Sequence, residues 1–491
     1  MKIRPSFTEF KNLAQQGNFI PVCHTFLADT ETPVSAYLKI RDESFSYLLE
    51  SADMTERWGR YSFIGYRPYL TAAMRNQTME IWENGRRKIL NAVKNPLPVL
   101  RNLMKAFEPV ALENLAPFQG GFVGYFNYDL IRKWEHLPGI SAEKTQMPES
   151  IFMLARRLII FDHLTHQISV LAFAYLKNNR NLKTAYDQAC QGIEETLYEF
   201  QGPLPAISEK EQLSLSALTS NFKQSDFESA VCKAKDYIVA GDVIQVVLSQ
   251  KFSADICGDD FLLYRNLRSV NPSPYMFYLN YDKVKLIGSS PEILVRLTDG
   301  KIVLRPIAGT RPRGKTPQED QALEKELLAD PKERAEHVML VDLGRNDVGK
   351  PALPGTVEVT RFMEVERYSH VMHIVSNVEG RLQPELDAYD VFMSSFPAGT
   401  VSGAPKVRAM EIINELEPTA RGPYAGAVGY FSFNGNMDFC ITIRTITVVN
   451  GKLSIQVGAG IVADSVPAKE YDETLRKAAA MFKAIERAGA I

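Results

Sequence analysis

Residues 425–463 read AGAVGYFSFNGNMDFCITIRTITVVNGKLSIQVGAGIVA, and this stretch decides the fold class. Asn434-Gly435 and Asn450-Gly451 divide it into aromatic and β-branched runs. Each pair supplies the φ > 0 positions that a two-residue hairpin turn demands, so the stretch predicts a three-stranded antiparallel meander. Asn84-Gly85 and Asp299-Gly300 repeat the signal elsewhere. Between the strands, helical patterns are expected over 225–240, 318–343 with a break at Pro331, 404–416 and 467–488. The first is expected to open on a capping box, Ser225-Asp226-Phe227-Glu228. Antiparallel strands interrupted by separate helices indicate an α+β fold rather than a βαβ repeat.

The chain has 491 residues, enough for about three ordinary domains or one large sandwich. With 45% hydrophobic and 23% charged residues it has the material for a core, which excludes a disordered protein. The formal net charge of -2 excludes a surface built for nucleic acid or anionic membrane, since both need a basic excess. Cys23, Cys190, Cys232, Cys257 and Cys440 are odd in number and form no C-x-x-C pair. They fit neither a disulfide framework nor a zinc site, and suit a reducing compartment. The N-terminus, from Met1 to Ser6, leads into polar sequence, and no run approaches the ~18 apolar residues of a membrane span. A cytoplasmic protein is therefore expected. The segment 201–222, with Gly202, Pro203, Pro205 and a Ser-rich stretch, reads as a connector between 1–200 and 223–491.

Two Gly-rich segments imitate nucleotide sites. Gly458-Ala459-Gly460-Ile461-Val462-Ala463 resembles a dinucleotide fingerprint, but the sequence leaves no room for the second parallel strand. Phe396 to Lys406 resembles a phosphate loop yet lacks Gly-Lys-Ser/Thr. Two helix starts carry acid pairs three residues apart, Glu333 and Glu336 after Asp330-Pro331, and Glu470 and Glu473 after Ser465-Val466-Pro467. Residues at i and i+3 share a helix face. If the two helices face each other, four carboxylates converge, and their repulsion calls for a hard cation such as Mg²⁺. His373, alternating with Met372 on an expected strand, could move a proton near neutral pH. Arg444 and Lys477 are cations at otherwise apolar or acidic places.

The strings RPIAGTRPRG (305–314), ERAEHVMLVDLGRND (333–347), FPAGTVSGAPK (396–406) and GAGIVADS (458–465) together resemble the chorismate-utilising enzymes, most nearly the synthase subunits of anthranilate synthases. The resemblance covers nearly the whole chain and is strongest over 225–488. It implies one large two-sheet antiparallel sandwich with helices outside, 1–200 being regulatory and 223–491 binding chorismate. Carried over, Glu336 and Glu473 look like metal ligands, direct or through water, and Glu333 and Glu470 complete the acidic shell. Tyr424, Arg444, Lys477 and the backbone of Gly458, Ala459 and Gly460 look like the receivers of the substrate carboxylates. Glu292 resembles the acid that protonates the departing C4 hydroxyl, with Thr400 beside it. His373 resembles the histidine of the later proton step, and Glu333 belongs with this catalytic group.

Members of the family differ in nucleophile. Isochorismate and salicylate synthases carry a Lys where this chain has Gln245, and aminodeoxychorismate synthases carry one in place of Ala308, beside Gly309 and Thr310. Neither Lys is present, which leaves diffusible ammonia and the anthranilate branch. The chain contains no glutaminase nucleophile elbow, so a separate glutamine amidotransferase subunit is expected, together forming a heterotetramer. Leu48, Glu50 and Ser51, with Asn271, Pro274, Tyr275 and Met276, resemble the segments that hold the feedback inhibitor tryptophan. The readings set against this one are an aminodeoxychorismate synthase and a tryptophan sensor that has lost its chemistry.

Overall fold

In the strand Tyr275–Tyr281, Phe277, Leu279 and Tyr281 join one apolar cluster while Met276 and Tyr278 join another. That period-two alternation means both faces of the strand are covered, one by a second sheet and one by helices. The computed structural model describes residues 2–27, 29–41, 44–51, 59–112, 116–138, 147–176, 181–205, 213–368 and 371–489. Residues 206–212 of the expected connector lie outside them.

A single antiparallel ladder runs through the molecule. It passes from Gln245–Cys257 to Lys452–Ile461, Thr445–Val449, Val284–Ser290 and Tyr275–Tyr281. It continues through four strands of the first 200 residues, Phe45–Glu50, Tyr61–Arg75, Ser150–Asp162 and Gly121–Phe126. From there it returns to Ala427–Ser432, Met437–Ile441, Ile293–Thr298, Lys301–Leu304 and Val371–Arg381. The ladder folds over so that its halves face each other. Tyr281 donates through its hydroxyl to the Val123 carbonyl at 2.9 Å, and its ring lies 6.4 Å from that of Tyr125. The expected α+β sandwich is what forms.

Within Tyr61–Arg75 a bulge between Pro68 and Leu70, with Arg67 at φ = 52°, reverses the facing. Ile64 and Tyr66 point to the helical side, whereas Leu70 and Ala72 point between the sheets. One inserted residue swaps every later side chain to the other face. Helices Phe261–Val270 and Pro467–Arg487 cover the outer face of the Tyr275–Tyr281 half. Pro331–Gly349 covers the strands Ile307–Pro312 and Val371–Arg381.

Three expectations need correction. The stretch 425–463 forms two hairpins rather than a meander, Ala427–Ser432 with Met437–Ile441 and Thr445–Val449 with Lys452–Ile461. These hairpins lie in different halves of the ladder, and Arg444 sits on the crossing between them instead of in a strand. The turn at Asn434-Gly435 is a four-residue loop, because the Asn434 side chain binds the Asn436 N–H and the Pro117 carbonyl. The other three Asn-Gly and Asp-Gly pairs have φ > 0 at both residues as expected. Finally, the helix Gln224–Val239 starts at Lys223 without a side-chain cap. Phe222 packs edge-on against Phe227 at 5.6 Å, a hydrophobic staple that fixes the start two residues before Ser225.

Candidate active site

The crossing Thr442–Arg444 is pinned to the segment Ser289–Glu292. The Ile441 N–H donates to the Glu292 carbonyl at 3.0 Å, and the Ser289 N–H donates to the Arg444 carbonyl at 3.1 Å. Arg444 takes φ = 51°, a left-handed conformation that costs a non-glycine residue energy and persists because both neighbours are fixed. Its guanidinium forms no ion pair or hydrogen bond with any described residue. Burial pushes its pKa down, while Tyr424, Glu292 and Glu473 around it oppose that shift. A cation desolvated without a partner is costly, which makes it a receptor for an anion.

Opposite it, burial raises the Glu292 carboxyl to about 7, against the pull of Thr400, Arg444 and Lys477. A carboxyl so placed holds its proton near neutrality and can donate it. Thr400 lies close enough to favour the charged form, although its buried Oγ1 falls short of a full hydrogen bond.

The floor is the strand Lys452–Ile461. Gly458 pairs with Ser249 and Gly460 with Val247. A Cβ on Gly458 would stand 2.5 Å from the Tyr424 hydroxyl and 2.9 Å from the Leu248 carbonyl, and one on Gly460 2.7 Å from Gln245 Nε2. Only glycine lets Tyr424 and Gln245 close over this strand. Ala459 faces the other way, in the cluster with Phe227 and Leu248, so it offers the site backbone only. Tyr424 is backed by Arg421, which lies over its ring at 5.4 Å and is locked by Glu417 and the carbonyls of Val247 and Val401.

The helix Pro331–Gly349 is capped by Asp330, which accepts from the Lys332 and Glu333 N–H groups. Pro467–Arg487 starts after Val466 without a side-chain cap, contrary to the expected parallel with Ser465. The two starts nevertheless face one another, since Lys332 acts on Glu470 and Lys477 acts on Glu336. Burial, followed by the Gln245 bond that opposes it and the Glu333 charge that adds to it, leaves Glu336 raised. Glu470 is raised by burial and by Glu473, with Ser465 opposing. Three of the acids also have their own partners. Glu333 pairs with Arg311 at 3.1 Å, Glu473 with Lys477 at 2.6 Å, and Glu336 accepts from Gln245 at 3.2 Å. Among the described residues no group of three or more His, Cys, Asp or Glu is arranged to hold a metal ion. The donors are hard oxygens, and burial penalises the charged forms of Glu336 and Glu470, a penalty a cation would relieve; this fits Mg²⁺ shared with a substrate better than an all-protein cage.

His373 lies opposite Thr310 on paired strands, with Nδ1 3.0 Å from both the Gly309 carbonyl and Thr310 Oγ1. Because a carbonyl only accepts, Nδ1 carries the proton and Nε2 keeps a free lone pair. Burial, reinforced by Arg444, lowers the His373 pKa and so keeps this base neutral. Gly309, at φ = 70°, forms the bulge that brings its backbone to Glu333, whose Oε2 would lie 3.2 Å from a Cβ there. Ala308 is buried against the Val371–Arg381 strand and contributes no polar group.

The model of the chorismate binding enzyme family matches residues 46–483. The chain belongs to this family. It is 48% identical to anthranilate synthase component 1 of Acetivibrio thermocellus, over 99% of each chain. The Aquifex aeolicus protein of the same name is also 48% identical, over 99% of this chain and 98% of its own. Among solved structures, anthranilate synthase component I of Streptococcus pneumoniae superposes with a TM-score of 0.77 at 37% identity, covering 93% of this chain and 98% of that one. The menaquinone-specific isochorismate synthase of Escherichia coli shares the fold, with a TM-score of 0.72 at 18% identity.

In this chorismate binding enzyme the regulatory segments expected from sequence meet along one strand pair, Glu50 opposite Met276 and Leu48 opposite Tyr278. Glu50 accepts from the Tyr264 hydroxyl at 2.5 Å and from two nitrogens of Arg268 at 3.1 Å each, while the buried Ser51 Oγ has no partner. Asn271 donates to Ser289 at 3.0 Å, and Pro274 precedes the strand. Tyr275 points away from this group and donates to Asp438 at 2.9 Å. Sequence reasoning missed Arg311, Lys332 and Arg421, which tune or brace the site. Arg311 and Lys332 act on residues far along the chain or on another element, and Arg421, although near Glu417 and Tyr424 in sequence, is locked by the distant Val247 carbonyl. No helix among the described residues is long and apolar enough to cross a membrane.

Proposed function

We propose that the chain aminates chorismate at C2 with ammonia, expels the C4 hydroxyl, and eliminates pyruvate to give anthranilate. The single observation that carries this reading is the unpaired, half-buried Arg444 near Glu292, whose carboxyl pKa burial raises to about 7, beside a glycine floor. Arg444, with Tyr424 and Lys477, receives the substrate carboxylates. Glu292, with Thr400 beside it, protonates the C4 hydroxyl so that water rather than hydroxide departs. His373 Nε2 takes the ring proton whose loss accompanies aromatisation. Glu336 and Glu473, with Glu333 and Glu470 around them, would hold Mg²⁺, which would supply electron withdrawal from the ring carboxylate. The bland Ala308 and the amide of Gln245 leave C2 open to ammonia, which favours this branch over aminodeoxychorismate or isochorismate formation. The intact acids and Arg444 weigh against a non-catalytic sensor.

Ammonia is supplied by a glutamine amidotransferase partner in a cytoplasmic heterotetramer, and 1–200 regulates 223–491 through tryptophan bound near Leu48, Glu50, Ser51, Asn271, Pro274 and Met276. The relatives' shared designation as component 1 supports a partner of some kind. The test is to mix the purified chain with chorismate, Mg²⁺ and an ammonium salt at alkaline pH and follow anthranilate fluorescence. Aminodeoxychorismate or isochorismate as product would overturn the assignment. Equal glutamine- and ammonia-dependent rates from the isolated chain would remove the partner, and calorimetry without tryptophan binding would remove the regulatory site.

A further inference from the structure

Glu292 and Thr400 also border a second, smaller space. A cavity of about 30 Å³ is lined by Glu292, Thr400, Asp347, Arg305, Leu340 and Leu343 among others. Arg444, Tyr424, Gly458 and Lys477 do not line it, so it is a space apart from the proposed substrate position that Glu292 borders as well. Its wall is tight on one side, where a Cβ on Gly399 would stand 1.7 Å from Leu343 Cδ2. A water needs roughly 10–15 Å³, so about two fit.

Two polar atoms on this lining lack any protein partner. Thr400 Oγ1 is one, and Asp347 Oδ1 is the other. The second oxygen of Asp347 accepts from Lys406 Nζ at 2.7 Å. Buried polar atoms are normally satisfied, and orphans beside a cavity of water size call for ordered water. The Asp347–Lys406 pair spans the remaining distance to the surface, its side chains being 3% and 14% exposed, with Lys350 and Glu135 near its outer end. Burial raises Asp347 and lowers Lys406, which narrows the gap a proton must cross between them.

We propose that this cavity holds a short water chain and that Asp347 is a positioning residue that returns a proton through it to Glu292. The inference rests on Glu292 being the acid of the proposed reaction. In each cycle Glu292 gives one proton to the departing hydroxyl, which leaves as water, and the new C2 amine releases one ammonium proton to solvent. The Glu292 carboxylate regains its proton from cavity water, the water from Asp347, Asp347 from Lys406, and Lys406 from solvent. Substrate covering the front of the site then does not block recharging of the acid.

The test uses the full chain with chorismate, Mg²⁺ and ammonium chloride. Asp347→Asn should lower kcat about tenfold with the chorismate KM within about twofold, and the deficit should widen as pH rises and direct protonation becomes scarcer. Leu340→Phe, which fills the cavity and spares the ion pair, should reproduce the same pH-dependent loss, so the proposal stays testable if Asp347→Asn folds poorly. A crystal structure resolving solvent should show water joining Asp347 Oδ1 to Thr400 Oγ1. A dry cavity, or variant pH profiles parallel to that of the unaltered chain, would overturn the relay. Glu292→Gln is the control: if it remains active, the acid assignment itself fails, whereas an inactive Glu292→Gln beside an unaffected Asp347→Asn defeats the relay alone.

Discussion

Two glutamate–arginine couples lie around the paired strands Phe45–Glu50, Tyr275–Tyr281 and Val284–Ser290 and have opposite characters. Glu50 and Arg268 are closed on each other by two contacts of 3.1 Å, with the Tyr264 hydroxyl adding a third. Glu292 and Arg444 influence each other electrostatically but form no bond. The same two residue types make an anchor where the backbone lets them meet, and a pair of reagents where it holds them apart. What holds them apart is the crossing Thr442–Arg444, where Arg444 takes a left-handed turn while the Glu292 backbone is fixed to Ile441.

The strongest way to break this contrast is Glu292→Gln. It should lower kcat about 10²–10⁴-fold with little change in chorismate KM, measured as ammonia-dependent anthranilate formation. Activity retained at the unaltered level would mean the open couple contains no acid. Next, Arg444→Met should reduce kcat/KM by about 10–100-fold, the equivalent of losing charge-assisted bonds worth about 1.5–3 kcal/mol. Its melting temperature should hold or rise, because an unpaired, half-buried cation has been removed. A marked fall in melting temperature would show that Arg444 has a structural partner after all.

The pH dependence sharpens the contrast further. Glu292 has a folded pKa of about 7, above the ordinary carboxyl value near 4.3, so the folded state binds the extra proton between those limits. Its contribution to stability is therefore full below about pH 4 and is lost as pH rises through about 7. Glu292→Gln should flatten that part of a stability–pH curve, and turnover at constant free ammonia should decline above about pH 7. Smallest of all, Glu50→Gln should destabilise the fold by about 1–2 kcal/mol in a denaturant titration, since Arg268 is half exposed and well screened. Ammonia-dependent turnover should stay within about twofold, and a larger loss would mean the closed couple serves chemistry too.

Much of the site was legible in the sequence because its signals are local. Pro331 and Pro467 mark helix starts, the acids follow at fixed offsets, and Gly458 and Gly460 announce a close approach. What was not legible depends on which distant strand lies alongside. The run 425–463 alternates as a meander would, and nothing within it reveals that Ile441 and Thr445 belong to facing layers. The same limit hid Arg311 against Glu333 and Lys332 near Glu470, each being a contact between elements. In the fold, the α+β class followed from turn chemistry, whereas the position of the first 200 residues did not.

That position bears on how the protein is made. The strands from Phe45 to Asp162 occupy the middle of the ladder, and those synthesised later pair to either side of them. Apart from Phe19–Leu27, which emerges earlier and pairs at the side with Gln167–Tyr175, the ribosome thus releases the centre of the sheet before its flanks. Until Tyr275–Tyr281 and Ala427–Ser432 emerge, both sides of that centre present bare strand edges, the state most prone to mispairing. A fragment beginning at residue 223 would have the reverse defect, two half-sheets joined through the crossing Thr442–Arg444 but lacking the central strands that pair between them.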